Sequence, residues 1–343
     1  PVPSHLSLTI EDEIVHRAVP AFGYVHRGLE KLAEKRDYHQ MIQVVERVCG
    51  ICSMIHAMCY CQGLETLMNV EVPRRGQFLR VIWSELHRIH SHLLWLGLYA
   101  DAFGFESVFM QFWKIRERIM DINESTAGNR VIVSVNQVGG VRRDLSLSQC
   151  EWILKELEVV EKETKALEST MLNNYTVKKR TVGKGVLTRE QAYELGAAGP
   201  VLRASGIAQD LRQLRYEAFD ELEFEPVVET GGDAYARGVI RFRETLQSID
   251  LVRQAISRMP KGDTFAKVKG KPEGEVVQRV EQPRGECLYY IKANKTKFLD
   301  RLRIRTPTFA NIPPLAAMLP GMELADVPVV ILSIDPCISC TER

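Results

Sequence analysis

Two cysteine pairs, Cys49-Gly-Ile-Cys52 and Cys337-Ile-Ser-Cys340, carry the most chemistry in this chain of 343 residues. They stand in Glu46-Arg47-Val48-Cys49-Gly50-Ile51-Cys52 and Asp335-Pro336-Cys337-Ile338-Ser339-Cys340-Thr341-Glu342-Arg343. Four thiolates drawn from opposite ends of one chain suit a soft transition metal and would close the fold around it. A single C-x-x-C also serves as half a structural zinc site, as a redox dithiol, or as two unrelated buried thiols. Structural zinc sites usually take both pairs from one local segment, whereas most of the chain separates these two. A thioredoxin-type dithiol needs a compact βαβ setting, and the apolar pattern here is mostly helical.

Other residues with chemical potential have plainer readings when taken alone. Cys59, Cys61, Cys150 and Cys287 read as small buried hydrophobes, and Cys59 and Cys61, two apart on a predicted helix, point to different faces. Glu30 stands among Lys31, Glu34 and Lys35, which suits a glutamate on a solvated helix. Arg284 follows a proline and suits a structural turn arginine, and His56 suits a satisfied core histidine. His87, His90 and His92 fall on one predicted helix with no evident acidic or thiol partner, which points to solvent or interface contacts.

Composition sets the outer limits. Hydrophobic residues make up 45% and charged residues 26% of the chain, enough to bury a sizeable core. A formal net charge of +1 argues against a nucleic-acid partner. No apolar run reaches the roughly 20 residues that a membrane-spanning helix needs, and no signal-peptide pattern opens the chain. A reducing, cytoplasmic setting is expected, with any membrane association made through partner subunits.

Positioning four cysteines from both ends requires a framework, and the hydropathy pattern predicts a mainly helical one. Residues 6–15 alternate as a strand. Residues 28–67 read as helix, turn, helix, with the first cysteine pair at the break, and long helices are predicted over 75–103 and 105–123. Ser148 with Glu151 predicts a capping box before a helix to about Met171. Apolar residues at spacings of three and four predict another helix from Asp233 to about Met259. Short strands are predicted at 131–138, 276–280 and 288–291. The β-branched run 327–334 reads as a strand on propensity.

Taken with their flanking residues, R-x-C-G-I-C at one end and D-P-C-x-x-C-x-x-R at the other resemble the large subunit of nickel–iron hydrogenases. The likeness is to the membrane-associated, energy-converting (Ech-type) branch, which is related to the 49-kDa subunit of complex I. The resemblance implies a mainly α fold, a long-helix bundle with small peripheral β-sheets, forming one domain over 1–343, and it turns 327–334 into a helix. It implies an N-terminal strand segment cut short, and a C-terminus like that of the mature, metal-loaded form.

For the site, the resemblance implies Cys49 and Cys337 as terminal nickel ligands. Cys52 and Cys340 would bridge nickel to an iron carrying carbonyl and cyanide. Glu30, in Arg27-Gly28-Leu29-Glu30, matches R-G-x-E and would relay protons. Arg284, in a Pro-Arg-Gly turn, would stand over the open face of the centre, and His56 would donate to a bridging thiolate. Glu46 matches a position that can hold magnesium near the C-terminus. Arg343 replaces the usual histidine there, so an Arg343–Glu46 ion pair is expected instead. Residues 199–206, Gly-Pro-Val-Leu-Arg-Ala-Ser-Gly, match a signature expected to pack near the small subunit, and Arg301, Arg303 and Arg305 are expected on a solvated or subunit-facing surface.

The implied activity is reversible interconversion of dihydrogen with protons and electrons. Electrons would pass through a [4Fe–4S] cluster in a small partner subunit to ferredoxin. Other soluble and integral membrane subunits would couple the reaction to ion translocation at the cytoplasmic side of the membrane. The alternatives are a metal-free quinone-reductase subunit of complex I type and a zinc-containing scaffold.

Overall fold

The computed structural model of the protein describes residues 5–343. The chain opens with an antiparallel hairpin, β1 (His5–Glu11) and β2 (Ile14–Ala21). The single strand expected over 6–15 is therefore two strands. Asp12 and Glu13, with φ of 48° and 62°, supply the left-handed pair that a tight hairpin turn needs. Three helices follow, α1 (Leu29–Ala33), α2 (Tyr38–Glu46) and α3 (Ser53–Met68), with the first cysteine pair in the turn between α2 and α3.

The centre of the molecule is α4 (Arg74–Asp101), buried around nearly its whole circumference from Phe78 to Leu93. Against it pack α5 (Glu106–Ala127) and, further along the chain, α10 (Ala234–Arg258), while α6 (Leu147–Leu172) packs against α5 and α10. Between α5 and α6 the expected strand shrinks to β3 (Asn136–Gln137), paired with β4 (Gly140–Val141). Asn129 Oδ1 accepts from the amides of Val131 and Ile132, and Ser134 takes φ 47°, so this stretch turns instead of extending. The capping box at α6 uses Ser146 and Gln149, not Ser148 and Glu151, because the helix starts two residues earlier and Ser148 is already inside it. On α10 the apolar stripe appears as predicted, started by the Asp233 side chain accepting from the Ala236 amide.

Short helices α7 (Tyr175–Thr181), α8 (Arg189–Glu194) and α9 (Pro200–Ala204) bridge α6 to α10. The strands β5 (Glu273–Gln282), β6 (Gly285–Asn294) and β7 (Leu299–Arg305) form an antiparallel sheet in that order, laid over α3. At Gly63 of α3, a Cβ would come within 2.7 Å of the Ile291 side chain, so glycine allows the close seat of helix on sheet. The chain ends through α11 (Pro307–Met318), α12 (Val327–Ser333) and α13 (Ile338–Glu342). Helix α12 is made of residues that favour strands. Pro328 in its first turn and burial of Val327, Val329 and Val330 override that weak preference. Among the described residues, no helix is long and apolar enough to cross a membrane.

One apolar cluster joins α4, α5, α6 and α10, and a second joins α2, α3 and the β5–β7 sheet and contains all four paired cysteines. Phe242 of α10 is 1% exposed and meets Phe112 of α5 at 5.8 Å between ring centres. Phe242→Ala removes that contact and leaves a cavity in the helical seam, an expected cost of about 3–5 kcal/mol. Denaturant unfolding of the wild-type and variant chains measures it.

Candidate metal centre

The two cysteine pairs meet although 288 positions separate their partners. Cys49 Sγ lies 3.4 Å from Cys337 Sγ, and Cys52 Sγ lies 3.7 Å from Cys340 Sγ. The sulfurs of Cys49, Cys52 and Cys340 all fall within 4.8 Å of one another. All four residues are buried. Local structure delivers them in matching ways, since Cys52 and Cys337 each stand at the residue before a helix, α3 and α13. Arg27 then ties the two loops together, donating to the carbonyls of Arg47 (2.6 Å) and Val48 (2.9 Å) beside the first pair and of Ser339 (2.9 Å) inside the second. Thr306 Oγ1 donates to the Cys340 carbonyl, and the Cys337 amide donates to Thr308 Oγ1. The thiols are not equivalent. Hydrogen bonds from Cys340 and Cys49 pull Cys52 down to about 6, while its neighbours push Cys340 up. A compact, buried, soft donor set of this kind is compatible with a bound metal.

Polar groups surround the sulfurs selectively. The tight β5–β6 turn at Pro283–Arg284 sends Arg284 to Asp335, with Nε donating to the Asp335 carbonyl and Nη2 to its Oδ1, each at 2.9 Å. Burial works against the guanidinium charge. Asp335 and the sulfurs of Cys337, Cys49 and Cys52 outweigh it and hold Arg284 protonated. Arg284 Nη1 and Asp335 Oδ2 remain buried with no partner among the described residues. On the other side, His56 Nε2 lies 3.6 Å from Cys340 Sγ and its Nδ1 lies 2.7 Å from the Tyr289 hydroxyl. A cavity of about 590 Å³, lined mainly by apolar side chains such as Trp95, Leu98, Ile312 and Leu332, reaches Cys49, Cys337, Arg284 and Asp335.

Residues 102–343 match the model of the respiratory-chain NADH dehydrogenase 49-kDa subunit, and residues 27–100 match that of nickel-dependent hydrogenase. The carbon monoxide-induced hydrogenase of Rhodospirillum rubrum is 39% identical over 99% of this chain and 95% of its own length. The alpha subunit of the membrane-bound hydrogenase of Pyrococcus furiosus is 38% identical, over 99% and 84% respectively. A formate hydrogenlyase component of Escherichia coli is 36% identical, over 99% of this chain and 60% of its own length. The chain belongs to the hydrogenase large-subunit and complex I 49-kDa family.

Within this family member, the remaining predicted residues separate from the sulfurs. Glu30 accepts from the Ile304 amide (2.8 Å), Arg303 Nη1 (2.7 Å) and Arg343 Nε (3.0 Å). Burial tends to raise its pKa, but these three donors outweigh that and lower it. None of these contacts is to a cysteine. Arg343 thus pairs with Glu30, and the expected Arg343–Glu46 pair does not form. Glu46 instead accepts from Ser134 Oγ at 2.5 Å, its Oε1 is buried without a partner among the described residues, and burial raises its pKa. The geometry brings Glu30, not Glu46, to the C-terminal residue.

His87, His90 and His92, expected at solvent or an interface, are fully buried on α4, and burial depresses all three. From Phe78 to Leu93 their helix is enclosed by its neighbours, so every face there is interior. Cys59 and Cys287 are buried as expected. Arg27, Asp335 and Tyr289 were missed as site residues. Arg27 and Asp335 lie inside motifs already singled out, which was the available signal, whereas Tyr289 is marked only by its place on β6.

The 199–206 signature holds the arginine turn in place. Gly199 has φ 63°, and a Cβ there would lie 2.3 Å from the Arg284 carbonyl oxygen. Gly199→Ala should cost about 1–3 kcal/mol and displace Arg284. Thermal unfolding together with the metal content of the purified variant checks both effects.

Proposed function

We propose that this chain is the catalytic large subunit of an energy-converting nickel–iron hydrogenase, interconverting dihydrogen with protons and electrons. The observation that carries the reading is the convergence of two C-x-x-C pairs, from opposite ends of the chain, in one buried sulfur cluster beside a charged arginine. In this reading the four cysteines would hold a nickel–iron centre, Cys49 and Cys337 as ligands of the nickel and Cys52 and Cys340 as ligands shared with an iron that would carry carbonyl and cyanide. When bound, that centre supplies the redox chemistry for heterolytic cleavage of dihydrogen.

The protein's own groups do the rest. Arg284, fixed by Asp335, presents a positive charge at the wall of the apolar cavity, where it orients and polarises a small neutral substrate. His56, held through Nδ1 by Tyr289, directs its other ring nitrogen at Cys340 and restrains that sulfur. The largely apolar lining of the cavity suits a small neutral gas. Electrons would leave through a [4Fe–4S] cluster in a small partner subunit and exchange with ferredoxin. Membrane subunits would hold the chain peripherally at the cytoplasmic face and couple the reaction to ion movement.

The competing reading, a metal-free quinone-reductase subunit, draws on the 49-kDa match over residues 102–343. A zinc scaffold would leave Arg284 without a task. Infrared spectroscopy of the anaerobically purified complex separates the hydrogenase reading from the other two. Carbonyl and cyanide stretches are expected, and their absence from a fully metallated, undamaged sample sinks the hydrogenase reading. Cys337→Ser should abolish nickel retention, so a variant that keeps full nickel content and turnover removes Cys337 from the ligand set.

Glu30 is a second test. Clamped by two arginines and a backbone amide, it is proposed to hold Arg343 and the second cysteine loop in place. Glu30→Gln should therefore lower nickel content. Full nickel content with loss of hydrogen–deuterium exchange would instead make it a proton relay.

A further inference from the structure

A chain of buried polar groups leaves the cysteine site along the seam between α4 and α10. Arg241 lies 4.2 Å over the ring of Trp95, which lines the cavity, and feels the charges of Asp335 and Arg284. One turn further along both helices, His92 Nε2 meets Glu244 Oε2 at 3.0 Å. Glu244 Oε1 accepts from Arg203 Nε at 2.8 Å, and Arg203 Nη1 donates to Glu281 Oε1 at 2.8 Å. Glu281 is 3% exposed and stands at the bottom of a separate cleft of about 280 Å³. The rim of that cleft includes the exposed residues Tyr193, Gly196 and Gln209.

The inner part of this chain is short of hydrogen bonds. Arg284 Nη1, Asp335 Oδ2, Arg241 Nε and Nη2 and His92 Nδ1 are all buried without partners among the described residues. Buried polar atoms are almost always satisfied, by protein or by ordered water, because an orphan is costly. Orphans this concentrated, beginning at the cavity wall, call for a file of internal water that starts there. At the outer end, Glu281 accepts from the Leu211 amide and Arg203 and lies near Asp210 and Arg88. Burial first, and Asp210 second, push it up to about 7, where a carboxyl can both take and release a proton. Glu244 is held low by Arg203 and His92 against its burial, so it stays ionised as fixed negative charge along the way.

We propose that Glu281 is the proton-exchange group of a hydrated route running from the cavity wall at Arg284, past Arg241 and the Glu244–Arg203 pair, to the cleft beneath Tyr193. The inference rests on the hydrogenase reading for the origin of the proton. A proton released at the site enters the water file, and Glu281 takes one from the file's other end and yields it to solvent. The bond holding the proton at the site breaks as it passes to the first water, from there only O–H bonds break and form, no net charge stays in the route, and the electrons leave separately.

The test uses the intact complex, wild type and Glu281→Gln. In wild type, an infrared band of a protonated carboxyl should titrate near neutral pH and disappear in Glu281→Gln. A high-resolution map should show ordered water against Arg241. With nickel content unchanged, Glu281→Gln should lower hydrogen–deuterium exchange about tenfold or more, and Glu281→Asp should restore part of it. A fully loaded Glu281→Gln complex with wild-type exchange and pH profile overturns the proposal. So does a wild-type complex with no titrating band and no water at Arg241, whether or not the variant folds. A wild-type complex that carries the band and the water but no nickel would sink the hydrogenase reading and leave the hydrated route standing.

Discussion

Everything in this molecule depends on bringing two short cysteine loops from opposite ends of the chain into sulfur contact, 3.4 and 3.7 Å apart. Loop-closure entropy opposes such a meeting, though it grows only slowly with chain length. The fold answers with a rigid frame and with a cross-tie at the junction. Arg27 is that tie, bonding backbone carbonyls on both loops, and Glu30, three residues on, fixes the C-terminal Arg343. The Arg27–Glu30 motif therefore works as a fastener between the ends.

The frame itself is unusual in what it buries. Helix α4 carries Arg80, Glu85, His87, Arg88, His90 and His92 into the interior. Isolated charges there would cost several kcal/mol each, so the arginines and Glu85 come with partners, while burial disfavours the charged forms of His87 and His90. Arg80 meets Glu65 and Glu217, and Arg212 meets Glu85 and Asp210. Removing one partner of such a pair is far worse than never having built it, which makes the network hard to alter piecemeal. A polar seam through the main helix pair also gives charge and water a way into an otherwise apolar core.

The periodic helices α4, α5, α6 and α10 were legible in the sequence because each rests on local spacing, whereas the joining of the two cysteine pairs into one quartet and the place of Arg284 beside it came from resemblance. Helix α12 was legible only through resemblance, since its β-branched residues argue for a strand until their burial is known. The three histidines of α4 were misjudged for a related reason. A polar residue on a helix reads as solvent-facing unless the helix is known to be enclosed. The capping residue of α6 slipped by two positions because Ser146 and Ser148 offer the same chemistry, and only the backbone angles choose between them.

By itself, the sequence determined two pairs of thiols able to serve soft-metal chemistry and the helical frame able to carry them, and resemblance added Arg284 and His56 to their company. Tertiary structure decided which charges meet. It gave Arg343 to Glu30 instead of Glu46, seated the Gly199 turn against Arg284, and strung Arg241, Glu244 and Arg203 into one line. Spacing along a chain governs what a helix or turn can present. Ion pairs between distant elements depend on packing distances that no local pattern encodes.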